Sequence, residues 1–312
     1  MPVKVHLVVT GQLERNLPAL LAKVFSTADL EFVGVQYVES ITSTRLPKTP
    51  TAGDLKGTEL IGAMMAALDP GRHGITADFA IAIDDVELEN AQNESAILAH
   101  IVDAARYSAI HGPCDAKGVP IHRGGAATID VRRGSRVTRP LNTAVRRAQA
   151  LRGRCSFHLL SPMIEGPFFA DPAAIAAARP QPPMHRSLFN RNNCDPEAFL
   201  VDDAMYLAVP DDHIPAGHPM PIPWARPDRA RHPKHYLQFL LDPRGTTRRA
   251  YRETKEGKDV LLAFDPATIT TISGHLLRFH GLLHDLADMA GVHLPSAYGA
   301  APARTSTVLR NL

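Results

Sequence analysis

Cysteine is scarce in this sequence, which excludes the small secreted folds that depend on disulfide bonds. The 312 residues contain three cysteines, too widely spaced for a zinc knuckle or a redox pair: Cys114, Cys155 and Cys194. Long apolar runs are missing as well. The opening segment MPVKVHLVVTGQLER has too short an apolar stretch for a signal peptide, and no later window approaches the length of a transmembrane helix. We therefore expect a cytoplasmic protein that does not enter membranes.

A strong excess of charge is also absent. The formal net charge is +2, so any attraction to nucleic acid must come from local clusters of basic residues. Aromatic residues make up 6% of the chain. Hydrophobic residues make up 45%, enough for a chain of this length to bury a substantial core.

Segments of strand type and helix type alternate along the chain. The sequence predicts buried strands over residues 3–9, 30–38, 78–84 and 155–161. It predicts helices over residues 13–26, 58–68, 94–110, 235–242, 246–264 and 272–291. Because strands alternate with helices, we expect an α/β fold with a central, mostly parallel sheet flanked by helices.

Two segments interrupt this alternation, one rich in arginine and one rich in proline and histidine. We divide the chain into a first part of the core (1–110), an arginine-rich insertion (111–155), a second part of the core (156–204), a proline- and histidine-rich loop (205–235) and a helical C-terminal part of the same domain (236–312).

Acidic residues stand where predicted strands end. Glu14 follows the first strand, Asp84 and Asp85 end the third, and Glu165 follows the fourth. In an open parallel sheet, the carboxyl ends of the strands form the ligand-binding edge. Each acid taken alone is better explained as a helix cap or a partner of a helix dipole. Together they predict a site for Mg²⁺ or Mn²⁺, which prefer hard oxygen ligands and suit phosphodiester chemistry.

The order of these motifs resembles the Toprim fold, in a branch of bacterial proteins related to the nuclease part of OLD-family (overcoming lysogenisation defect) proteins. The resemblance rests on TGQLE after the first strand, the acid pair after the third, the segment IEGPFFADP, and the tail segments HPKHYLQFLL and YRETKEGKDV. It covers most of the chain apart from the two interrupting segments. It implies a metal-dependent nuclease active in defence against phages or plasmids, with Glu14, Asp84, Asp85 and Glu165 as metal ligands and catalytic residues, and often with an ATPase partner protein.

The chain departs from this family at its first motif. Thr10 stands where the family has its first Glu, and only Gly11 and Glu14 of that motif remain. The acid pair is irregular as well, so the ligands come either from Asp84 alone or from Asp85 with Glu87. The loss of one carboxylate favours a one-metal mechanism over a two-metal mechanism. A catalytically inactive subunit that binds a partner ATPase or nucleic acid is therefore the alternative function.

Arginines cluster between residues 131 and 154, where no acidic residue occurs. The guanidinium group binds phosphate through two donors at once, so the cluster is a candidate nucleic-acid-binding segment. A solvated loop or a protein interface explains the same composition, and the sequence leaves open whether the protein forms a homo-oligomer. The candidate phosphate-binding residues are Arg132, Arg133, Arg136, Arg139, Arg146 and Arg147.

Two weaker patterns remain. His280 and His284 have the helical spacing of a zinc site, but they lie in a leucine-rich helix whose apolar face favours a structural role. A nucleotide-binding α/β protein is a third possible class. Its phosphate-binding turn needs glycines that the first turn, TGQLER, lacks.

Overall fold

All four predicted strands pair in one parallel sheet. A computed structural model describes residues 1–38, 57–69, 76–86, 93–113, 138–179, 196–246, 250–268, 277–299 and 308–312. Its strands are β1 (Val3–Val9), β2 (Leu30–Tyr37), β3 (Phe79–Asp85) and β4 (Cys155–Leu160), in the order β2-β1-β3-β4. Every neighbouring pair is parallel, so the predicted α/β class is confirmed.

Helices cover both faces of this sheet. They are α1 (Leu17–Leu21), α2 (Thr58–Ala67), α3 (Glu94–His111), α4 (Thr138–Arg154), α5 (Pro172–Ala176), α6 (Ala204–Leu207), α7 (Pro233–Leu241), α8 (Lys258–Ala263) and α9 (Leu277–Ala290). Side chains from α1, α5, α7, α8 and α9 pack on one face, which carries Leu7, Val9 and Ile83. Side chains from α2, α3 and α4 pack on the other, which carries Val8, Ala80 and Ala82.

Two helices are shorter than the sequence predicts. The segment predicted as a helix over 13–26 forms a 3₁₀ turn (Glu14–Asn16) and then α1, with Pro18 in the first turn of α1. Proline cannot donate the hydrogen bond that a longer helix would need at this position, so the helix starts beside it. The helix predicted over 246–264 is interrupted because Arg252 is extended; a π-type turn (Glu253–Gly257) and α8 follow. Residues 247–249 of this prediction lie outside the described residues.

The arginine-rich segment contributes a helix that leads into the sheet. Its second half is α4, which packs on α3 and continues directly into β4. Arg154 ends α4, and its guanidinium donates to the carbonyl oxygens of Ala77 and Asp78, at 2.7 Å each. This end of α4 is thereby tied to the start of β3, at the edge of the sheet opposite to the acidic residues.

The proline-rich loop is ordered around one buried cation. The Arg229 side chain donates to the carbonyl oxygens of Leu207 and Arg226 (2.9 and 2.8 Å) and pairs with the carboxylate of Asp211. Tyr206 lies beside this guanidinium, and its hydroxyl donates to the Arg229 carbonyl oxygen at 3.0 Å. Backbone carbonyls that regular structure would have paired are thus satisfied by one side chain.

Candidate active site

Three carboxyl groups from distant parts of the chain meet at the carboxyl edge of the sheet. Glu14 lies in the turn after β1, Asp85 ends β3, and Glu165 lies in the turn after β4. Glu14 and Glu165 are each 1% exposed. The charges of Glu14 and Glu165 both raise the pKa of Asp85, so the three groups lie within electrostatic reach of one another. We call this group the acidic cluster.

Glu14 occupies space that a glycine leaves open. A Cβ atom at Gly11 would lie 1.9 Å from Glu14 Oε2, closer than any real contact, so a larger residue there would displace the carboxylate. Burial raises the pKa of Glu14, and a hydrogen bond with Asp85 partly offsets this effect. Gly11 of the first predicted motif therefore leaves the space in which the carboxylate of Glu14, the acid of the same motif, lies.

Asp85 is held from two sides. Its Oδ1 accepts a hydrogen bond from the backbone N–H of Ile164 at 3.1 Å, which ties β3 to the turn after β4. Its carboxyl group also bonds that of Glu14. Burial, followed by the neighbouring Glu14 charge, raises the pKa of Asp85 well above its ordinary value. Two carboxyl groups joined in this way share a proton in the absence of a cation.

Glu165 has one neutral partner. The Tyr251 hydroxyl donates to Glu165 Oε1 at 3.0 Å. Burial raises the pKa of Glu165 to about 7. Burial and the Glu165 carboxylate raise the pKa of the Tyr251 hydroxyl well above its ordinary value, so this group stays a hydrogen-bond donor.

Asp84 faces away from the acidic cluster, although it is next to Asp85 in the chain. Neighbouring residues of a strand point to opposite faces, and Asp84 continues the row of Ala80 and Ala82 on the α2 and α3 side. The hydroxyl of Thr10, which directly follows the neighbouring strand β1, donates to Asp84 Oδ1. Thr10 and Asp84 are 5% and 0% exposed. Of the two ligand alternatives, this geometry favours Asp85; Glu87 lies outside the described residues.

A lysine approaches the acidic cluster from α7. Lys234 pairs with the carboxylate of Glu253, and its charge lowers the pKa of both Glu14 and Glu165, though by less than burial raises it. Glu253 acts in the opposite sense on the same two groups. The single positive charge of Lys234 is therefore too small to neutralise the acidic groups around it.

The residues of the cluster suit a divalent cation in chemistry, although they do not form a complete coordination shell. Within the described ranges, no three His, Cys, Asp or Glu side chains have the arrangement of a metal site. Glu14 Oε1 and Glu165 Oε2 are nevertheless buried and accept no hydrogen bond from any described residue. A buried carboxylate oxygen without a donor is costly unless it binds a cation or a proton. Hard oxygen ligands with room for bound water are what Mg²⁺ and Mn²⁺ use.

The two candidate arginines whose side chains the structure describes, Arg146 and Arg147, contact no residue of the acidic cluster. Arg146 is exposed on α4, and Arg147 donates to the Ile110 carbonyl oxygen at the end of α3. Arg139 belongs to α4, but its side chain is outside the described part, as are Arg132, Arg133 and Arg136 entirely. Nucleic-acid binding by this segment stays a prediction.

A cavity of about 890 Å³ lies along β4 and α9, away from the acidic cluster. Its polar groups are largely paired: His158 with Asp285, Arg278 with Glu94, and Asp285 and Asp288 with Arg310, which lies outside the lining. His284 Nε2, also in its wall, donates to the Tyr298 carbonyl oxygen at 3.2 Å. Because these groups already have partners, the cavity offers less to a ligand than the acidic cluster does.

Two groups of the site were not predicted from the sequence. Tyr251 donates a hydrogen bond to Glu165, and the charge of Lys234 acts on Glu14 and Glu165, from segments some 70 to 90 residues beyond Glu165. Both stand in the tail segments that carry the family resemblance, which was the one available signal. Their chemistry alone would not have distinguished them from surface residues.

Comparisons with protein-family models, with curated proteins and with solved structures gave no match. In the part of the chain that the structure describes, no helix has the length and apolar character needed to cross a membrane.

Proposed function

We propose that this protein is a divalent-metal-dependent nuclease that hydrolyses phosphodiester bonds at the acidic cluster. The observation that carries the proposal is the pair of buried oxygens, Glu14 Oε1 and Glu165 Oε2, that accept no hydrogen bond beside the carboxyl group of Asp85. The Toprim resemblance supports the same chemistry and a role in defence against phages or plasmids. It also supports an ATPase partner.

In this proposal Glu14, Asp85 and Glu165 would hold Mg²⁺ or Mn²⁺. Such an ion would lower the pKa of a water molecule bound to it and would place positive charge beside the phosphate. Glu165 would orient the attacking water, since its Oε2 is buried and accepts no hydrogen bond from a described residue. Tyr251 fixes the orientation of this carboxylate through its hydroxyl group.

Lys234 is the proposed contact for the phosphate. Its ammonium group is close enough to Glu14 and Glu165 to lower the pKa of both. A lysine beside a carboxylate cluster attracts an anionic substrate that the carboxylates alone would repel. The arginines between Arg132 and Arg147 remain candidates for more distant contacts with a nucleic-acid backbone.

Hydrolysis of bis(p-nitrophenyl) phosphate tests this proposal without a choice between DNA and RNA. We expect hydrolysis that requires Mn²⁺ or Mg²⁺ and falls at least tenfold in Asp85→Asn, a substitution that preserves size. Asp202→Asn, at an exposed position beyond the acidic cluster, is the matched control and keeps full activity. Metal-independent hydrolysis, or equal activity in both variants, would contradict the proposal.

The alternative is a Toprim-like subunit without catalysis that binds an ATPase or nucleic acid. The observation in its favour is Thr10, which replaces the first family Glu and pairs with Asp84. Thermal unfolding with and without Mg²⁺ distinguishes the two, since an ion that binds the folded state raises the melting temperature. A rise that Glu165→Gln abolishes supports the metal site, whereas no rise supports the alternative.

A further inference from the structure

We infer that Glu253 occupies the phosphate-binding position on Lys234 in the free protein, and that a phosphodiester displaces it when the substrate binds. The inference rests on the proposed function, because it concerns the phosphate contact of that site. It goes further in giving Glu253 a role in substrate affinity. It also names the charge of the preferred substrate, a phosphodiester monoanion rather than a phosphomonoester dianion.

The Lys234–Glu253 ion pair lies beside the acidic cluster but is open to solvent. The Lys234 ammonium group donates to Glu253 Oε1. The two side chains are 29% and 27% exposed, whereas Glu14 and Glu165 are 1% exposed. A dissolved anion can therefore reach this pair, and a partly exposed ion pair holds its two members only weakly. The ammonium group of Lys234 can thus exchange one anionic partner for another.

The segment that carries Glu253 is packed against the acidic cluster. Glu253 opens the π-type turn that follows the extended residue Arg252. Tyr251, just before it, donates to Glu165 Oε1 at 3.0 Å, and a Cβ atom at Gly257 would overlap the Tyr251 hydroxyl group. Because this backbone is held in place, displacement of Glu253 from Lys234 requires only a rotation of its side chain towards solvent.

Charge determines which anion can replace Glu253. The Glu253 carboxylate raises the pKa of Glu14, Glu165 and Tyr251, so one negative charge already acts on the acidic cluster from this position. A phosphodiester is a monoanion, and its exchange for the carboxylate leaves the charge on Lys234's partner unchanged. A phosphomonoester carries about −1.5 to −2 charges at neutral pH. The additional charge is unfavourable beside buried acids, so the site favours the diester.

Hydrolysis of bis(p-nitrophenyl) phosphate and of p-nitrophenyl phosphate, both with Mg²⁺, tests this inference. In Glu253→Gln we expect KM for the diester to fall at least about threefold, with kcat within about twofold of wild type. The preference for diester over monoester, as the ratio of the two kcat/KM values, should fall in the same variant, because one negative charge is gone. Asp259→Asn, at an exposed position in α8, removes the same charge and should change neither value.

Calorimetric titration with dimethyl phosphate in the presence of Mg²⁺ measures the same exchange without catalysis. Glu253→Gln should bind this monoanion at least about threefold more tightly than wild type, because no carboxylate competes for the lysine. Lys234→Met should bind it at least about threefold more weakly. Lys255→Met is the control for the second variant, since the Lys255 side chain is 66% exposed, and should bind as wild type does.

The outcomes separate the inference from the function on which it rests. Equal KM and equal dimethyl phosphate affinity in wild type and Glu253→Gln would overturn the inference and leave the nuclease standing. A large fall of kcat in Glu253→Gln would overturn it as well, because Glu253 would then belong to the catalytic machinery. The predicted order of affinities without hydrolysis by wild type would contradict the proposed function and leave the anion site standing. Neither binding nor hydrolysis by folded wild type would contradict both.

Discussion

At Glu165, burial and hydrogen bonding act in opposite directions. Burial removes the carboxylate from water and raises its pKa to about 7, whereas the Tyr251 hydroxyl supplies one donor to the charged form. One oxygen of this group still accepts no hydrogen bond from a described residue. Ionisation of Glu165 is therefore unfavourable in the folded protein, and such perturbed acids are common in catalytic sites.

This arrangement predicts how stability depends on pH. Between about pH 4.5 and about pH 7, the folded chain keeps a proton on Glu165 that the unfolded chain has lost. The free energy of unfolding should therefore fall as pH rises through this window, and Glu165 should account for about 3 kcal/mol of that fall. Glu165→Gln removes this contribution, so the variant should gain stability relative to wild type as pH rises.

Urea unfolding at about pH 5 and about pH 8, with EDTA present, measures the effect. Glutamine matches glutamate in size and can still accept the Tyr251 hydrogen bond, so it is a suitable replacement. The same pH dependence in both proteins would show that Glu165 is not buried as an acid.

We expect a substitution at Gly11 to weaken metal binding more than it lowers the stability of the fold. In Gly11→Ala the new Cβ would meet the Glu14 carboxylate, which is the flexible end of a side chain and can move. We expect the melting temperature without metal to change little, and the rise produced by Mn²⁺ to be at least halved. In the control Gly153→Ala, the new Cβ has nothing within 4 Å, and the Mn²⁺ effect should be unchanged. An undiminished Mn²⁺ effect in Gly11→Ala would show that the position of Glu14 is unimportant for the ion.

The short helix α5 helps to position Glu165 through the residue that caps it. Asp171 caps it, since Oδ1 accepts from the N–H groups of Ala173 and Ala174 at 3.0 and 3.1 Å. Its Oδ2 accepts from the Asp265 N–H at 3.0 Å, just after α8. One buried carboxylate thus joins the turn that contains Glu165 to the segment that carries Tyr251.

We therefore expect Asp171→Ala to cost about 2 kcal/mol of the free energy of unfolding, because a cap and a tertiary hydrogen bond are both lost. Metal-dependent activity should fall in addition, because Glu165 loses its support. Denaturant unfolding measures the first effect, and phosphodiester hydrolysis measures the second. Asp202→Ala, at an exposed position, should change neither; a stability loss below about 0.5 kcal/mol in Asp171→Ala would contradict this account.

At the scale of the whole molecule, much of the architecture was predictable. The alternation of apolar strands with helices predicted the parallel sheet, and three of the four acids predicted at the strand ends, Glu14, Asp85 and Glu165, lie together there. The period of two along a strand also determines that Asp84 and Asp85 face opposite ways. The opposite orientation of these two side chains follows from the strand alone, so it can be predicted without knowing the tertiary structure.

Long-range placement was not predictable from the chain alone. Tyr251 reaches Glu165 across 86 residues of intervening chain, and no local pattern encodes that distance. The predicted helix around it in fact breaks at Arg252, where the backbone is extended. Pairing of Thr10 with Asp84, 74 residues apart, likewise depends on which strands become neighbours.

Cleavage assays on supercoiled plasmid, single-stranded DNA and RNA decide whether the acidic cluster is an active site; they compare wild type with Glu165→Gln, each with Mg²⁺, Mn²⁺ or EDTA. We predict that wild type cleaves at least one of these substrates, that EDTA stops cleavage, and that Glu165→Gln is at least a hundredfold slower while remaining folded. Cleavage that persists in EDTA or in Glu165→Gln would contradict an active site at the acidic cluster. No cleavage by folded, metal-bound wild type, alone or with an ATPase partner, would contradict catalysis and favour the binding subunit.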